Sequence, residues 1–288
     1  MDTIQDLLLT KIMVLDGAMG TAIQDRNLTA KDFGVEAYEG CNEYLVITRP
    51  DVIQQVHEDY LAAGADIVET NTFGGTDFVL GEFDLQDHVE EVNTKAVELA
   101  RAACDKFSTP DKPRFVAGAV GPTTKALSVT GGITFDELAK SFEDQIYYLT
   151  KAGVDYLLFE TALDTLNLKA AYVGAQAAFK KCGKDVPIAI SGTIETMGTM
   201  LAGQAVEALY ASIEHMNPLY VGLNCATGPE FMRDHLRTFA RISKFPISVV
   251  PNAGMPNEDG CYCETPKKLA SVLDLFIKEG WVNLIGGC

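Results

Sequence analysis

Apolar residues in this chain come in two alternating textures. Short, nearly unbroken runs rich in Val, Ile, Leu and aromatic residues cover positions 12–15, 66–69, 114–119, 155–160, 187–191, 219–224, 246–250 and 281–285. Unbroken runs mark strands buried on both faces, as in a parallel sheet covered by helices. Between them the apolar positions recur every three or four residues. Val52, Val56 and Tyr60 form one stripe, and Val92, Ala96, Leu99 and Ala103 another. That period predicts helices over 50–63, 87–106, 134–152, 165–179, 204–215, 229–242 and 266–278. The start signals agree. Thr134 and Glu137 have capping-box spacing, and Pro229 and Pro266 stand at first helical positions, the latter behind Thr265.

Strand and helix alternate along the whole chain with no linker-like break. This predicts one α/β domain over 1–288, a (β/α)8 TIM barrel. A doubly wound sheet is the runner-up. Its Gly-rich first turn is not matched by Asp16-Gly17-Ala18-Met19-Gly20-Thr21. The sequence stops at Cys288, directly after the eighth strand, so the eighth helix is missing and the barrel reads as truncated at its C-terminus. An open patch is expected outside strands eight and one, and a helix over 3–10 is placed to cover the barrel floor.

Composition narrows the function. The 288 residues are 47% hydrophobic and 22% charged, so the chain is globular rather than disordered. No stretch approaches the ~18 apolar residues of a membrane span. The net charge of −17 disfavours nucleic acid as a partner. Seven cysteines, an odd count, and no basic residue in the first ten positions predict a reducing cytoplasm.

In a barrel, chemistry gathers where strands reach their carboxyl ends. Those ends carry Asp16-Gly17, Glu69-Thr70-Asn71, Gly121-Pro122-Thr123, Glu160-Thr161, Ser191-Gly192-Thr193, Asn224-Cys225, Pro251-Asn252 and Gly286-Gly287-Cys288. Cys225 and Cys288 end strands six and eight and would face one mouth. They read as a soft-metal site, zinc first, or as buried small hydrophobes. Asp16 and Glu160 read as an acid/base pair, as an anchor for a substrate ammonium, or as turn and cap residues. The glycines after Asp16 leave backbone amides free for a carboxylate. Cys261 and Cys263 form a loop pair that chelates or is merely a thiol pair. Cys41, Cys104 and Cys182 read as structural. The segment 64–70 is echoed by 153–161, a shared helix-exit and strand grammar. All four histidines fall in helices, and no serine elbow, phosphate loop or zincin motif occurs.

The rim motifs carry a resemblance. Val14-Leu15-Asp16-Gly17-Ala18-Met19-Gly20-Thr21, Glu69-Thr70-Asn71-Thr72-Phe73, Gly222-Leu223-Asn224-Cys225 and Gly286-Gly287-Cys288 resemble the homocysteine S-methyltransferase family. Ile190-Ser191-Gly192-Thr193-Ile194 and Pro251-Asn252-Ala253-Gly254-Met255-Pro256-Asn257 are similar to its cobalamin-dependent methionine synthase branch, at the N-terminal homocysteine-binding module. The resemblance implies a (β/α)8 barrel with zinc on three cysteines. Cys225 and Cys288 match two of them, and the third falls past the last residue. It implies that Asp16 and Glu160 hold the homocysteine amino group, and that Gly17 and Asn224 belong to the substrate site. It further implies methionine formation with methylcobalamin as donor, carried by a corrinoid-binding module or protein. Relatives using S-methylmethionine, S-adenosylmethionine or a betaine are the alternative, as is an inactive amino-acid-binding scaffold.

Overall fold

A strand forms on each of the predicted apolar runs: β1 (Met13–Val14), β2 (Ile67–Glu69), β3 (Phe115–Val120), β4 (Tyr156–Ala162), β5 (Ile188–Gly192), β6 (Val221–Asn224), β7 (Ile247–Val250) and β8 (Leu284–Ile285). The computed structural model describes residues 3–254 and 264–288. All strand pairs are parallel, in the order β1-β8-β7-β6-β5-β4-β3-β2. A parallel bridge between Leu15 and Ile67, with the Asp66 amide donating to the Val14 carbonyl at 2.7 Å, joins β1 to β2 and closes the ring. The architecture is a (β/α)8 barrel.

Seven helices make the crossovers: Pro50–Ala63, Val89–Phe107, Phe135–Ala152, Thr165–Cys182, Val206–Ile213, Pro229–Ile242 and Pro266–Lys278. The capping box at Thr134 and Glu137 is formed, and Thr265 caps the last helix. Two predicted bounds shift because 3-10 turns take the ends, at Gln86–His88 and at Glu214–Met216. No helix follows β8. Among the described residues none is long and apolar enough to cross a membrane.

The echoed segments have a physical basis. Gly64 and Gly153 end their helices in the left-handed conformation (φ 117° and 101°), where a side chain is strained. Two residues on, Asp66 accepts the Val14 amide at 3.0 Å and Asp155 accepts the Val116 amide at 2.7 Å. Lys11 pairs with Asp66 and Arg101 with Asp155. Each aspartate thus stitches the amino end of its strand to the preceding one.

The helix Ile4–Thr10 lies under the barrel as expected. Ile4, Leu7 and Leu8 pack with the barrel-interior residues Met13, Ile67, Tyr156, Leu158, Tyr220 and Leu284. Each such buried aliphatic side chain contributes about 1.5–3 kcal/mol. A larger apolar layer fills the space between strands and helices from β2 round to β7. On the outer face of β1, Val14 is 36% exposed, where the open patch was expected.

Candidate functional site

The carboxyl ends of the strands surround one cavity of about 400 Å³, a volume suited to a small metabolite. Asp16, Gly17, Glu160, Asn224, Cys225 and Cys288, all predicted from sequence, line it together. Local backbone features aim them. β4 carries a bulge between Phe159 and Ala162, within which Thr161 adopts φ 53°. Cys225 and Ala226, just past β6, adopt φ 55° and 56°. A left-handed non-glycine residue costs about 1–3 kcal/mol and persists where surrounding contacts impose it.

Those contacts centre on Asn224. Its Oδ1 accepts from the Thr161 amide at 3.0 Å and the Ser191 hydroxyl at 2.6 Å. Its Nδ2 donates to Thr161 Oγ1 at 2.7 Å and to Cys225 Sγ at 3.1 Å. The Thr193 hydroxyl donates to the Asn224 carbonyl at 3.0 Å. The side chain is buried and spends its bonding capacity on the protein. Sequence reasoning expected Asn224 in a substrate site; the structure places it in the cavity lining, bonded to Cys225.

Cys225 and Cys288 meet although 63 residues separate them, with Cα atoms 5.7 Å apart and sulfurs joined as a disulfide. The Cys288 amide donates to the Pro251 carbonyl and the Cys225 amide to the Val250 carbonyl, each at 3.0 Å, which fixes both residues on β7. When reduced, the pair offers two thiolates, the donors that zinc prefers. Together the two residues provide two sulfurs of a four-donor set. Among the described residues, no group of three or more His, Cys, Asp or Glu is arranged to hold a metal.

Acidic chemistry shares the cavity with the sulfurs. Asp16, Glu69 and Glu160 converge from β1, β2 and β4. The Glu69 amide donates to Asp16 Oδ2 at 3.0 Å, and Glu69 and Glu160 line the same cavity. Burial, then the Glu69 charge, pushes Asp16 well above the carboxylate range. Burial, then the Glu69 and Asp16 charges, does the same to Glu160. Burial raises Glu69 to about 7. Among the described residues, the cavity lining includes no Lys, Arg or His. Beneath the carboxyl groups, Tyr156 and Tyr220 share a hydroxyl hydrogen bond of 3.0 Å inside the barrel. Glu69 was not singled out from sequence, although it stands at a strand end and repeats the Glu-Thr pair of 160–161.

Gly17 has a packing reason. A Cβ there would lie 2.6 Å from the Tyr60 ring, whose hydroxyl donates to the Ala18 carbonyl at 3.0 Å. Cys41 and Cys104 are buried and their thiols are pushed up to about 11 and 12 by burial, as inert core thiols are. Cys182 is half-buried on the outer helical layer. Cys261 and Cys263 lie outside the described residues. Of the four histidines, none lines the cavity.

The family model for homocysteine S-methyltransferase matches residues 13–288. The methionine synthases of Mycobacterium leprae (strain TN) and Mycobacterium tuberculosis (strain ATCC 25618 / H37Rv) are each 41% identical over 286 residues, covering 98% of this chain. The chain spans about a quarter of those relatives' length, 24%. In fold it is similar to the homocysteine methyltransferase MmuM from Escherichia coli. The metallated form gives a TM-score of 0.78 at 23% identity, covering 97% of this chain and 92% of that one. The oxidized form gives 0.77 at 22% identity, covering 96% and 91%. This chain belongs to the homocysteine S-methyltransferase family.

Proposed function

We propose that this barrel transfers a methyl group to the thiol of homocysteine, giving methionine, with the methyl supplied from a corrinoid carried by another module or protein. The observation that carries this reading is the chemistry gathered in one cavity: the carboxyl groups of Asp16, Glu69 and Glu160, with no basic residue among the described lining, share it with two cysteine sulfurs. An amino acid with a terminal thiol has matching ends. Residues 1–288 act as one homocysteine-binding domain, working in the cytoplasm. The motifs at 190–194 and 251–257, similar to the cobalamin-dependent branch, favour the corrinoid donor.

Asp16 and Glu160 bind the substrate ammonium, and the backbone around Gly17 receives its carboxylate. Held at both charged groups, the substrate extends its thiol toward Cys225 and Cys288, so orientation lowers the barrier. Asn224 braces Cys225 for that encounter. Cys225 and Cys288 are the residues that would hold zinc. When bound, zinc supplies the Lewis acidity that makes a thiol, with a free pKa of ~8.5, ionise near neutral pH.

The test is methionine formation by the reduced, zinc-supplemented protein from homocysteine and a panel of donors: methylcobalamin, S-methylmethionine, S-adenosylmethionine and betaine. Product from methylcobalamin is the expected result. Product only from another donor moves the chain to that branch. Homocysteine binding that ignores zinc, with no product from any donor, identifies an amino-acid-binding scaffold.

A further inference from the structure

Ser248 and Val250 stand two residues apart on β7, and both line the cavity. Ser248 pairs in register with Gly222 on β6 and with Leu284 on β8, and Gly222 pairs with Ser191 on β5. The glycine in this row has a packing reason. A Cβ at 222 would fall on the Ser248 Oγ, so the hydroxyl leans over Gly222 into the place a side chain would take. Ser248 is 1% exposed, and its hydroxyl has no hydrogen-bond partner among the described residues. Ser191, in the same row, is already spent on Asn224 Oδ1 at 2.6 Å. A buried hydroxyl without a partner is costly, so one kept in a cavity wall points to a ligand atom. Strand order indicates which atom. Cys225 follows β6 and Cys288 follows β8, and their amides bond to the Val250 and Pro251 carbonyls. β7 is therefore the stretch of wall between the two sulfurs. Asp16, Glu69 and Glu160 come from β1, β2 and β4, none of which neighbours β7.

We propose that Ser248 is a substrate-binding residue at the sulfur end of the cavity, its hydroxyl donating to the sulfur of the incoming homocysteine. The proposal rests on the homocysteine reading and names the residue that recognises sulfur at that end. Among the sulfurs there, Cys225 already receives the Asn224 amide at 3.1 Å, whereas the substrate sulfur arrives with free lone pairs. The contact is a hydrogen bond, so no covalent bond forms or breaks in it. It strengthens as the substrate thiol ionises, because an O–H donated to an anion is stronger than one donated to a neutral atom. A ligand of the same length ending in a methyl group leaves the hydroxyl unpaired. A site built around a hydrogen bond rejects such an analogue through the polar group it strands.

Calorimetric titration of the reduced, zinc-supplemented protein with L-homocysteine and with L-norvaline, the same chain ending in methyl instead of thiol, tests the contact. Ser248→Ala should weaken homocysteine binding at least about fivefold and leave norvaline within about twofold of wild type. Its zinc affinity, measured by chelator competition, should be unchanged. The urea midpoint of ligand-free Ser248→Ala should match or exceed that of wild type, because the hydroxyl bonds nothing there. Equal weakening of both ligands places the hydroxyl away from the sulfur and overturns the contact. Unchanged homocysteine affinity also overturns it and leaves the homocysteine reading standing. Weakened zinc binding shows that the loss passes through the metal and overturns direct recognition. A lower urea midpoint, or failure of Ser248→Ala to fold, shows a bond inside the protein and overturns the assignment. Failure of homocysteine to bind the wild-type protein overturns the reading and the contact together.

Discussion

Asn224 donates its side-chain amide to the sulfur of Cys225, its neighbour in sequence, at 3.1 Å. The carbonyl end of the same amide is pinned by Ser191 and by the Thr161 backbone, so the donor face is fixed on Thr161 Oγ1 and Cys225 Sγ. Once the Cys225–Cys288 disulfide is reduced, the same hydrogen bond would stabilise the negative charge of a Cys225 thiolate and fix its direction. Partners of this kind typically change metal affinity 10–100-fold when removed.

Asn224→Asp keeps the size of the side chain and replaces the donor by a carboxylate. We expect it to weaken zinc binding by about 10–100-fold, measured by competition with a chromogenic chelator on the reduced protein. Ser191→Ala should weaken it less, since Thr161 still anchors the amide. Equal affinity in Asn224→Asp and wild type would show that the contact does not act on the sulfur.

Gly17 and Tyr60 should behave as a coupled pair. Gly17→Ala sets a methyl group against the Tyr60 ring and is expected to cost about 1–3 kcal/mol in urea unfolding. Tyr60→Ala opens that space. The double variant should recover about 1 kcal/mol or more relative to the sum of the singles. Additive effects would mean that the close approach is relieved elsewhere.

His57 is fully buried and neither ring nitrogen has a partner among the described residues. Burial lowers it to about 4. Its folded value lies below the unfolded value of about 6.5, so the protonated form is favoured by unfolding. Its contribution is therefore fully present above pH 6.5 and is lost as pH falls toward 4. Complete protonation is worth about 3 kcal/mol. His57→Leu should flatten the fall in urea midpoint between pH 7 and pH 5. An unchanged slope would contradict this.

Glu69 gives the opposite limb. Its folded value, about 7, lies above the unfolded value, so its contribution to stability is present below about pH 4 and is lost as pH rises through 7. Glu69→Gln should raise the denaturation midpoint at pH 8 more than at pH 5, in the ligand-free protein. An equal change at both would remove the electrostatic cause.

The barrel was legible because continuous apolar runs report two-sided burial and the helical stripes between them are long. The site was legible by topology: parallel strands send Asp16, Glu160, Cys225 and Cys288 to one rim whatever the loops do. Side-chain direction was not legible. The bulge at 159–162 and the left-handed turns at Thr161 and Cys225 decide what Asn224 touches, and neither leaves a composition signal. Glu69 escaped because a glutamate at a strand end has many ordinary uses. Only its convergence with Asp16 and Glu160 on one cavity separates this use from the others.

Cobalt(II) in place of zinc gives a sulfur-to-metal charge-transfer band that reports sulfur donors. With the reduced protein, the band should appear, be lost in Cys225→Ser, and intensify when homocysteine is added, with norleucine causing no such rise. A band that homocysteine leaves untouched, at concentrations where calorimetry shows it bound, would contradict delivery of the substrate sulfur to Cys225 and Cys288.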